Sequence, residues 1–237
     1  MSRPPLAVID LGRRRYHEVL EFQRGLVQDR IAGELADDVL LLVEHEPVVT
    51  LGRGTRPESL PLPPGALHQR GLDVAEVERG GDVTWHGPGQ LVGYPILDLQ
   101  RLRPDLHWYL RTLELALIDA LDRLGIAAGQ EPGLTGVWTR GRKIASIGIH
   151  VKRWITLHGF ALNVSADLAA FGLIVPCGIQ GVVMTSVERE LHEAGCPFDP
   201  AALWHRTRDE VVRALGHRLE REPRWVETGT LAAGDRI

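Results

Sequence analysis

Residues 141–164, GRKIASIGIHVKRWITLHGFALNV, indicate which kind of sheet the chain forms. Its apolar and β-branched residues predict two neighbouring strands, at 143–151 and 155–164, and a third strand is predicted just before them at 136–139. Strands that follow one another without an intervening helix do not fit the strand–helix alternation of a purely parallel sheet. The stretch therefore favours an α/β (α+β) fold with a mixed, largely antiparallel sheet.

The segments on either side supply helices that can flank this sheet. Helices are predicted at 13–35, 104–124, 165–171 and 199–219, strands at 38–44, 48–52, 73–78 and 91–99, and a proline-rich loop at 57–71. The last helix has a clear start, because Asp199 can cap it and Pro200 suits its first turn. No repeat or linker is evident, so we expect one domain over residues 1–237 with a short polar C-terminal tail from about residue 221.

Composition excludes several classes of protein. Apolar residues make up 44% of the chain, charged residues 24%, and the net charge is −4, so the composition gives no reason to expect binding to nucleic acid or anionic membranes. The N-terminus lacks a signal-peptide pattern, and no apolar run approaches a membrane span. The two cysteines form no metal-ligand spacing. We expect a cytoplasmic protein without metal or cofactor.

One lysine and one cysteine stand in unusual surroundings. Of 27 basic residues only Lys143 and Lys152 are lysines, and the only cysteines are Cys177 and Cys196. A lysine amine can exchange protons where arginine cannot, and cysteine becomes a nucleophile beside a cation. The sequence VPCGI places Cys177 in a constrained turn. Alone, Lys143 would be interpreted as a solvated charge and Cys177 as a small buried side chain, and Lys152 and Cys196 fit those inert interpretations.

The segment RGGDVTWHGPGQLVGYP, residues 79–95, is the most unusual loop in the chain. Its glycines permit tight turns, and they equally permit a narrow slot for an extended apolar chain. His86, Trp85 and Tyr94 favour the functional interpretation. The spacing matches neither a phosphate-binding P-loop nor a dinucleotide-binding motif.

Small side chains recur on the two strands predicted at 143–151 and 155–164. Ala145, Ser146, Gly148, Gly159 and Ala161 would leave room beside the sheet for a ligand or for a closely packed helix. His158 on its own would most often be a hydrogen-bonded core histidine. A GxSxG nucleophile elbow is absent from the sequence, which argues against an α/β-hydrolase.

These motifs together match a known family. The chain resembles the lipoyl(octanoyl) transferases, or octanoyl-[acyl-carrier-protein]–protein N-octanoyltransferases, over residues 10–219. The matching stretches are RGGDVTWHGPGQLVGYPI from Arg79, the quoted stretch from Gly141, VPCGIQGVVMTSV from Val175, and HEP from His45 followed by TLG from Thr50. The resemblance implies a fold like that of the lipoate and biotin protein ligases.

The resemblance also implies roles for individual residues. Cys177 would carry an octanoyl thioester and Lys143 would favour the thiolate and move protons. Substrate-binding residues would be Arg79, Gly80, Gly81, Asp82, Val83, Thr84, Trp85, His86, Ser146, Ile147, Gly148, Gly159, Phe160 and Ala161, with His158 and Tyr94 as auxiliary residues. Asp82 stands where many members carry an amide, and Trp85 where many carry tyrosine; we expect both to adjust only the rim of the pocket.

The same resemblance implies the partners. The donor would be octanoyl-acyl carrier protein, and the acceptors would be the lipoyl domains of 2-oxoacid dehydrogenase complexes and the glycine cleavage H protein. Three alternatives remain open from the residues: an ATP-dependent lipoate ligase, a Cys-His thioesterase or peptidase with His86 or His158 as base, and a non-enzymatic acyl-binding module.

Overall fold

In the computed structural model, which describes residues 3–227, the elements follow one another with short connections. The strands are Pro5–Arg14 (β1), Asp38–His45 (β2), Val48–Leu51 (β3), Asp73–Glu76 (β4), Val83–His86 (β5), Gln90–Ile96 (β6), Gly129–Glu131 (β7), Leu134–Thr139 (β8), Arg142–Lys152 (β9), Ile155–Asn163 (β10) and Glu222–Trp225 (β11). The α-helices are Tyr16–Ala32 (α1), Pro64–His68 (α2), Leu99–Leu102 (α3), Leu106–Arg123 (α4), Val187–Glu193 (α5) and Pro200–Arg218 (α6).

The main sheet has the strand order β11-β1-β2-β6-β10-β9-β8-β7. β1 pairs in parallel with β11 and β2, and every other pair in this sheet is antiparallel. A smaller sheet, β4-β3-β5, lies beside it. The prediction of a mixed, largely antiparallel sheet with flanking helices is confirmed.

The hairpin of β9 and β10 lies near the middle of the main sheet. Its two turn residues, Arg153 and Trp154, have φ angles of 51° and 68°, as a two-residue hairpin turn with the twist of the sheet requires. Ser146 pairs with Ala161, Ile147 with Phe160, and Gly148 with Gly159. The small residues found in the sequence therefore lie side by side on neighbouring strands.

Helices cover both faces of the main sheet. The fully apolar strand β2 alternates its side chains, so that Leu40 and Leu42 pack in the cluster that contains α4 and α6 residues, whereas Leu41 packs in the cluster that contains Phe22 and Leu26 of α1. A strand buried on both faces is expected to have such a continuous apolar run. The predicted start of α6 is confirmed, because Asp199 accepts a hydrogen bond from the Ala201 amide. The helix predicted from residue 104 begins at Leu106, where Asp105 caps it by accepting a hydrogen bond from the Trp108 amide.

Three expectations about local structure need correction. The helix predicted from residue 13 begins at Tyr16, because residues 5–14 form β1. The predicted loop 57–71 contains α2. The predicted polar tail begins with β11, which is ordered because it pairs with β1 and continues the sheet. The rest of that tail, residues 228–237, lies outside the described residues.

A buried carboxylate ties the C-terminal segment to the sheet. Asp38 is 4% exposed and binds Arg30 at 2.6 Å and Arg221 at 2.8 Å. We expect Asp38→Ala to lower the free energy of unfolding by about 3–5 kcal/mol, because it leaves two buried guanidinium groups without their counterion. Urea denaturation measures this change. The control is Asp119→Ala, which breaks an exposed pair with Arg218 and should cost less than about 1 kcal/mol.

Candidate active site

Cys177 lies in a short, strained turn. The turn Pro176–Gly178 gives Cys177 a φ of 57° and Gly178 a φ of 66°, a left-handed conformation that side chains other than glycine rarely adopt. The turn is held from both sides, because the Val175 amide donates to the Ser59 carbonyl at 2.9 Å and Arg56 donates to the Gly178 carbonyl at 3.0 Å. A partly exposed thiol on an anchored, strained turn is a common arrangement for a reactive group.

Lys143 reaches this turn from β9. Its Nζ lies 3.1 Å from Cys177 Sγ and donates to the Thr135 carbonyl at 2.9 Å, while the side chain is only 1% exposed. The two residues are 34 positions apart in the sequence. They come together because the chain pairs with Lys143 a few residues after Cys177. The Lys143 amide donates to the Val183 carbonyl at 2.8 Å, and the Thr185 amide donates to the Lys143 carbonyl at 2.9 Å.

A buried glutamate supports the loop that holds the lysine. Glu114 on α4 is 1% exposed and accepts from the Gly136 amide at 2.9 Å and from Gln130 at 2.7 Å. This contact fixes Gly136, where the absence of a Cβ leaves space for the Lys143 side chain. The sequence pattern did not single out Glu114, because its role depends on a contact between a helix and a distant strand.

Gly136 offers a direct test of how closely Lys143 must be placed. A Cβ at this position would lie 2.7 Å from Lys143 Cε and 2.6 Å from the Ala145 carbonyl oxygen. Gly136→Ala should therefore displace the amine and lower the rate of the reaction at this site roughly 10- to 100-fold. The control is Gly125→Ala, a positive-φ glycine with open space around it; equal losses in both variants would assign the effect to backbone strain alone.

A cavity of about 250 Å³ opens beside Lys143 and Cys177. Its lining includes all of the predicted substrate-binding residues except Trp85, together with both auxiliary residues, His158 and Tyr94. Six further lining residues carried no functional signal in the sequence, namely Tyr16, Val92, Gly133, Leu134, Thr135 and Ile179. Leu134 and Thr135 line the cavity because the hairpin of β7 and β8 brings them there, and the sequence of that hairpin contains no distinctive motif.

Trp85 does not line the cavity. Its ring packs against Phe171 at a centroid distance of 5.4 Å, and a Cβ at Gly87 would overlap it. Successive side chains of a strand point to opposite faces, and Thr84 and His86 on either side of Trp85 both line the cavity. Trp85 instead packs in a hydrophobic cluster that includes Val83 and Phe171.

The buried Arg79 guanidinium organises the glycine-rich loop. It donates to the Thr50 carbonyl and hydroxyl at 2.7 and 2.8 Å and to the Asp82 carbonyl at 2.7 Å. Its methylenes cover Gly148, where a Cβ would lie 3.0 Å from Arg79 Cδ. Burial lowers the pKa of Arg79 from its ordinary value. Arg79 thus borders the cavity through its aliphatic part while its charge satisfies backbone carbonyls.

Asp82 lies closer to the cysteine than the sequence suggested. We expected Asp82 to affect only the pocket rim, but its carboxylate accepts from the Ser59 hydroxyl at 2.7 Å and is 3.5 Å from Arg56. A Cβ at Gly178 would overlap the same carboxylate. The structural reason is that the loop before β5 packs directly on the turn that carries Cys177.

The remaining lysine and cysteine lie apart from this site. Lys152 is exposed at the end of β9. Cys196 follows α5 and packs against the core cluster that contains α4 and α6 residues. Within residues 3–227, no group of three or more His, Cys, Asp or Glu side chains is arranged to hold a metal ion, and no helix is long and apolar enough to cross a membrane.

Solved structures share this fold. A putative lipoate protein ligase from T. acidophilum superposes with a TM-score of 0.72 at 15% identity, covering 99% of this chain and 92% of that one. A lipoate-protein ligase A bound with ATP gives a TM-score of 0.72 at 16% identity with the same coverage. The fold is that of the lipoate protein ligases.

The sequence comparisons are more specific. The family model described as the lipoyl protein ligase A/B catalytic domain matches residues 15–209. An octanoyltransferase from Gloeobacter violaceus is 51% identical over 181 residues, which are 76% of this chain and 79% of the relative. An octanoyltransferase from Acidobacterium capsulatum is 42% identical over 236 residues, 94% of each chain. The chain therefore belongs to the octanoyltransferase family and is an acyltransferase.

Proposed function

We propose that this enzyme transfers an octanoyl group from acyl carrier protein to a specific lysine of a lipoyl domain through a thioester on Cys177. The observation that carries the proposal is the 3.1 Å contact between Lys143 Nζ and Cys177 Sγ at the edge of the cavity. The names of the related octanoyltransferases support the acyl group and the reaction class. The acceptors would include lipoyl domains of 2-oxoacid dehydrogenase complexes and the glycine cleavage H protein.

The first half-reaction forms the acyl-enzyme. An ammonium beside the sulfur favours the thiolate, and the thiolate attacks the carbonyl carbon of the octanoyl thioester on the carrier's phosphopantetheine arm. The new bond joins Cys177 Sγ to the acyl carbon, and the bond to the carrier sulfur breaks. Lys143 gives its proton to the leaving thiolate and becomes neutral. One thioester replaces another, so the step needs no ATP.

The second half-reaction forms the amide. Neutral Lys143 takes one proton from the ammonium of the acceptor lysine, which can then attack the acyl carbon as a free amine. The bond between that carbon and Cys177 Sγ breaks, and the amide nitrogen loses a second proton to solvent. The products are the acylated lysine, the Cys177 thiolate and the Lys143 ammonium. The conversion of a thioester to an amide is downhill and gives the cycle its direction.

The backbone amide of Ile147 is well placed to stabilise the oxyanion. Ile149 directs its backbone groups away from β10, since its carbonyl accepts a hydrogen bond from the Gly80 amide at 2.9 Å. Alternate residues of an antiparallel strand direct their backbone groups to the same edge, so the Ile147 amide points there too. Ser146 Oγ, beside that amide, lies 3.9 Å from Cys177 Sγ. A donor in this position can stabilise charge that develops on the acyl oxygen.

The requirement for ATP tests the proposed function. Purified enzyme should transfer octanoyl from octanoyl-carrier protein to a lipoyl domain without ATP, with the product followed by mass spectrometry of the domain. Strict dependence on ATP with free octanoate as donor would assign a ligase instead. Release of free octanoate without any acylated lipoyl domain would assign a thioesterase.

A further inference from the structure

Asp82 is a buried carboxylate that borders the cavity although both of its oxygens are engaged by protein groups. It is 7% exposed, its Oδ1 accepts from the Val83 amide at 2.7 Å, and its Oδ2 accepts from the Ser59 hydroxyl at 2.7 Å. Oδ2 also lies 3.5 Å from Arg56 Nε. A carboxylate accepts hydrogen bonds and donates none, and an octanoyl group has no donor to offer it. Contact with the acyl chain therefore does not account for Asp82.

The two side chains that bind this carboxylate also hold the turn of Cys177. The Ser59 carbonyl accepts from the Val175 amide at 2.9 Å, two residues before the cysteine. Arg56 Nη2 donates to the Gly178 carbonyl at 3.0 Å, immediately after the cysteine. The turn is thus held on both sides of the cysteine by residues that one carboxylate positions.

The turn packs directly against the carboxylate and its arginine. A Cβ at Gly178 would overlap both Asp82 Oδ2 and Arg56 Nη2. Cys177 has a φ of 57°, a conformation that a residue with a side chain rarely keeps unless its surroundings hold it. Without the carboxylate, the turn can relax toward a more common backbone conformation and carry the sulfur away from Lys143.

We infer that Asp82 is a positioning residue that holds the Cys177 sulfur against the Lys143 amine. It acts through Ser59 and Arg56, which join the loop before β5 to the cysteine turn. The amine is fixed by a second hydrogen bond, to a backbone carbonyl at 2.9 Å, whereas the turn sets the position of the sulfur. The inference rests on the proposed function, in which this sulfur carries the acyl group.

Removing the carboxylate should slow the chemistry and leave donor binding nearly unchanged. For Asp82→Ala we expect kcat for octanoyl transfer to fall roughly 10- to 100-fold, as when a reacting group is displaced by about 1 Å. KM for octanoyl-carrier protein should stay within about twofold of the parent value. Asp82→Asn keeps the shape, an oxygen for the Val83 amide and a nitrogen that can donate to the Ser59 hydroxyl oxygen, so its kcat should lie within about fivefold of the parent.

Alkylation of Cys177 by iodoacetamide measures the same geometry without an acyl donor, with the modified cysteine identified by peptide mass. A cation beside the sulfur raises its reactivity, so Asp82→Ala should slow alkylation toward the rate of Lys143→Met. In the Lys143→Met background, adding Asp82→Ala should change the rate by less than about twofold, because the amine that the sulfur would leave is already absent.

Asp98→Ala is the matched control. Asp98 likewise accepts from a backbone amide, that of Gln100 at 3.0 Å, and lies 3.4 Å from Arg101, but it does not line the cavity. Its transfer and alkylation rates should match those of the parent. A raised KM with unchanged alkylation in Asp82→Ala would make Asp82 a substrate-binding residue and overturn the inference. Equal slowing of alkylation with and without the Lys143 amine would overturn it as well.

A second variant keeps the test open if Asp82→Ala does not fold, which thermal unfolding shows first. Ser59→Ala removes the hydroxyl that binds the carboxylate but keeps the backbone carbonyl that holds the turn, and it should slow transfer and alkylation in the same direction. Parent rates in a folded Ser59→Ala and Asp82→Asn, with Asp82→Ala unfolded, would count against positioning. If the parent enzyme forms no octanoyl thioester, the proposed function fails, whereas the alkylation comparison still decides whether Asp82 positions the sulfur.

Discussion

Cys177→Ser is expected to lower octanoyl transfer by at least about 1000-fold, because the hydroxyl group replaces the sulfur that lies 3.1 Å from Lys143 Nζ and serine is a far weaker nucleophile without a dedicated base. The fold should survive, since the substitution changes one atom in a partly exposed turn. Initial rates of lipoyl-domain acylation measure the effect, and circular dichroism checks the fold.

The second cysteine supplies the matched control. Cys196 packs against the core away from the cavity, so Cys196→Ser should retain at least half of the parent rate. Loss of transfer in Cys196→Ser together with full activity in Cys177→Ser would reverse the assignment of the nucleophile.

Replacing Lys143 should have the second largest effect. Lys143→Met keeps a long unbranched side chain in the same buried space but removes the amine, and transfer should fall between about 100- and 10,000-fold, the range for loss of a general acid–base. The rate at which iodoacetamide alkylates Cys177 should also fall, because the thiolate loses its neighbouring cation.

Lys143→Arg separates charge from proton transfer. Arginine retains a cation but does not release its proton, so Cys177 should keep part of its reactivity toward iodoacetamide while transfer stays at least about 100-fold below the parent. The larger head group must fit beside Gly136 and Trp138, so thermal unfolding of both variants is measured first. A Lys143→Arg enzyme that is stable and transfers octanoyl at the parent rate would remove the proton-shuttle role.

Much of the fold could be predicted because its strongest signals are local. The leucines of α4, the cap of α6 and the apolar run of β2 all have short-range patterns that depend on one element alone. β11 could not be predicted, because its order depends on pairing with β1 more than 200 residues away. Edge strands of this kind have little apolar pattern of their own.

The candidate site likewise combines residues that local motifs predict with contacts that depend on distant parts of the chain. The glycine-rich loop, the small residues of β9 and β10 and the cysteine turn stood out as motifs, and in the structure they meet around one cavity. The contact between Lys143 and Cys177 could not be derived from periodicity, since it requires residues 183–185 to pair beside Lys143. The outward direction of Trp85 and the support from Glu114 also depend on three-dimensional packing.

The mass of the enzyme after incubation with octanoyl-carrier protein alone, without ATP and without acceptor, tests whether Cys177 carries the acyl group. We expect a single octanoyl adduct on the parent enzyme and on Cys196→Ala, mapped by peptide fragmentation to Cys177 and released by hydroxylamine. The adduct should be absent from Cys177→Ala. An adduct of the same mass and yield on Cys177→Ala would show that another residue is the nucleophile.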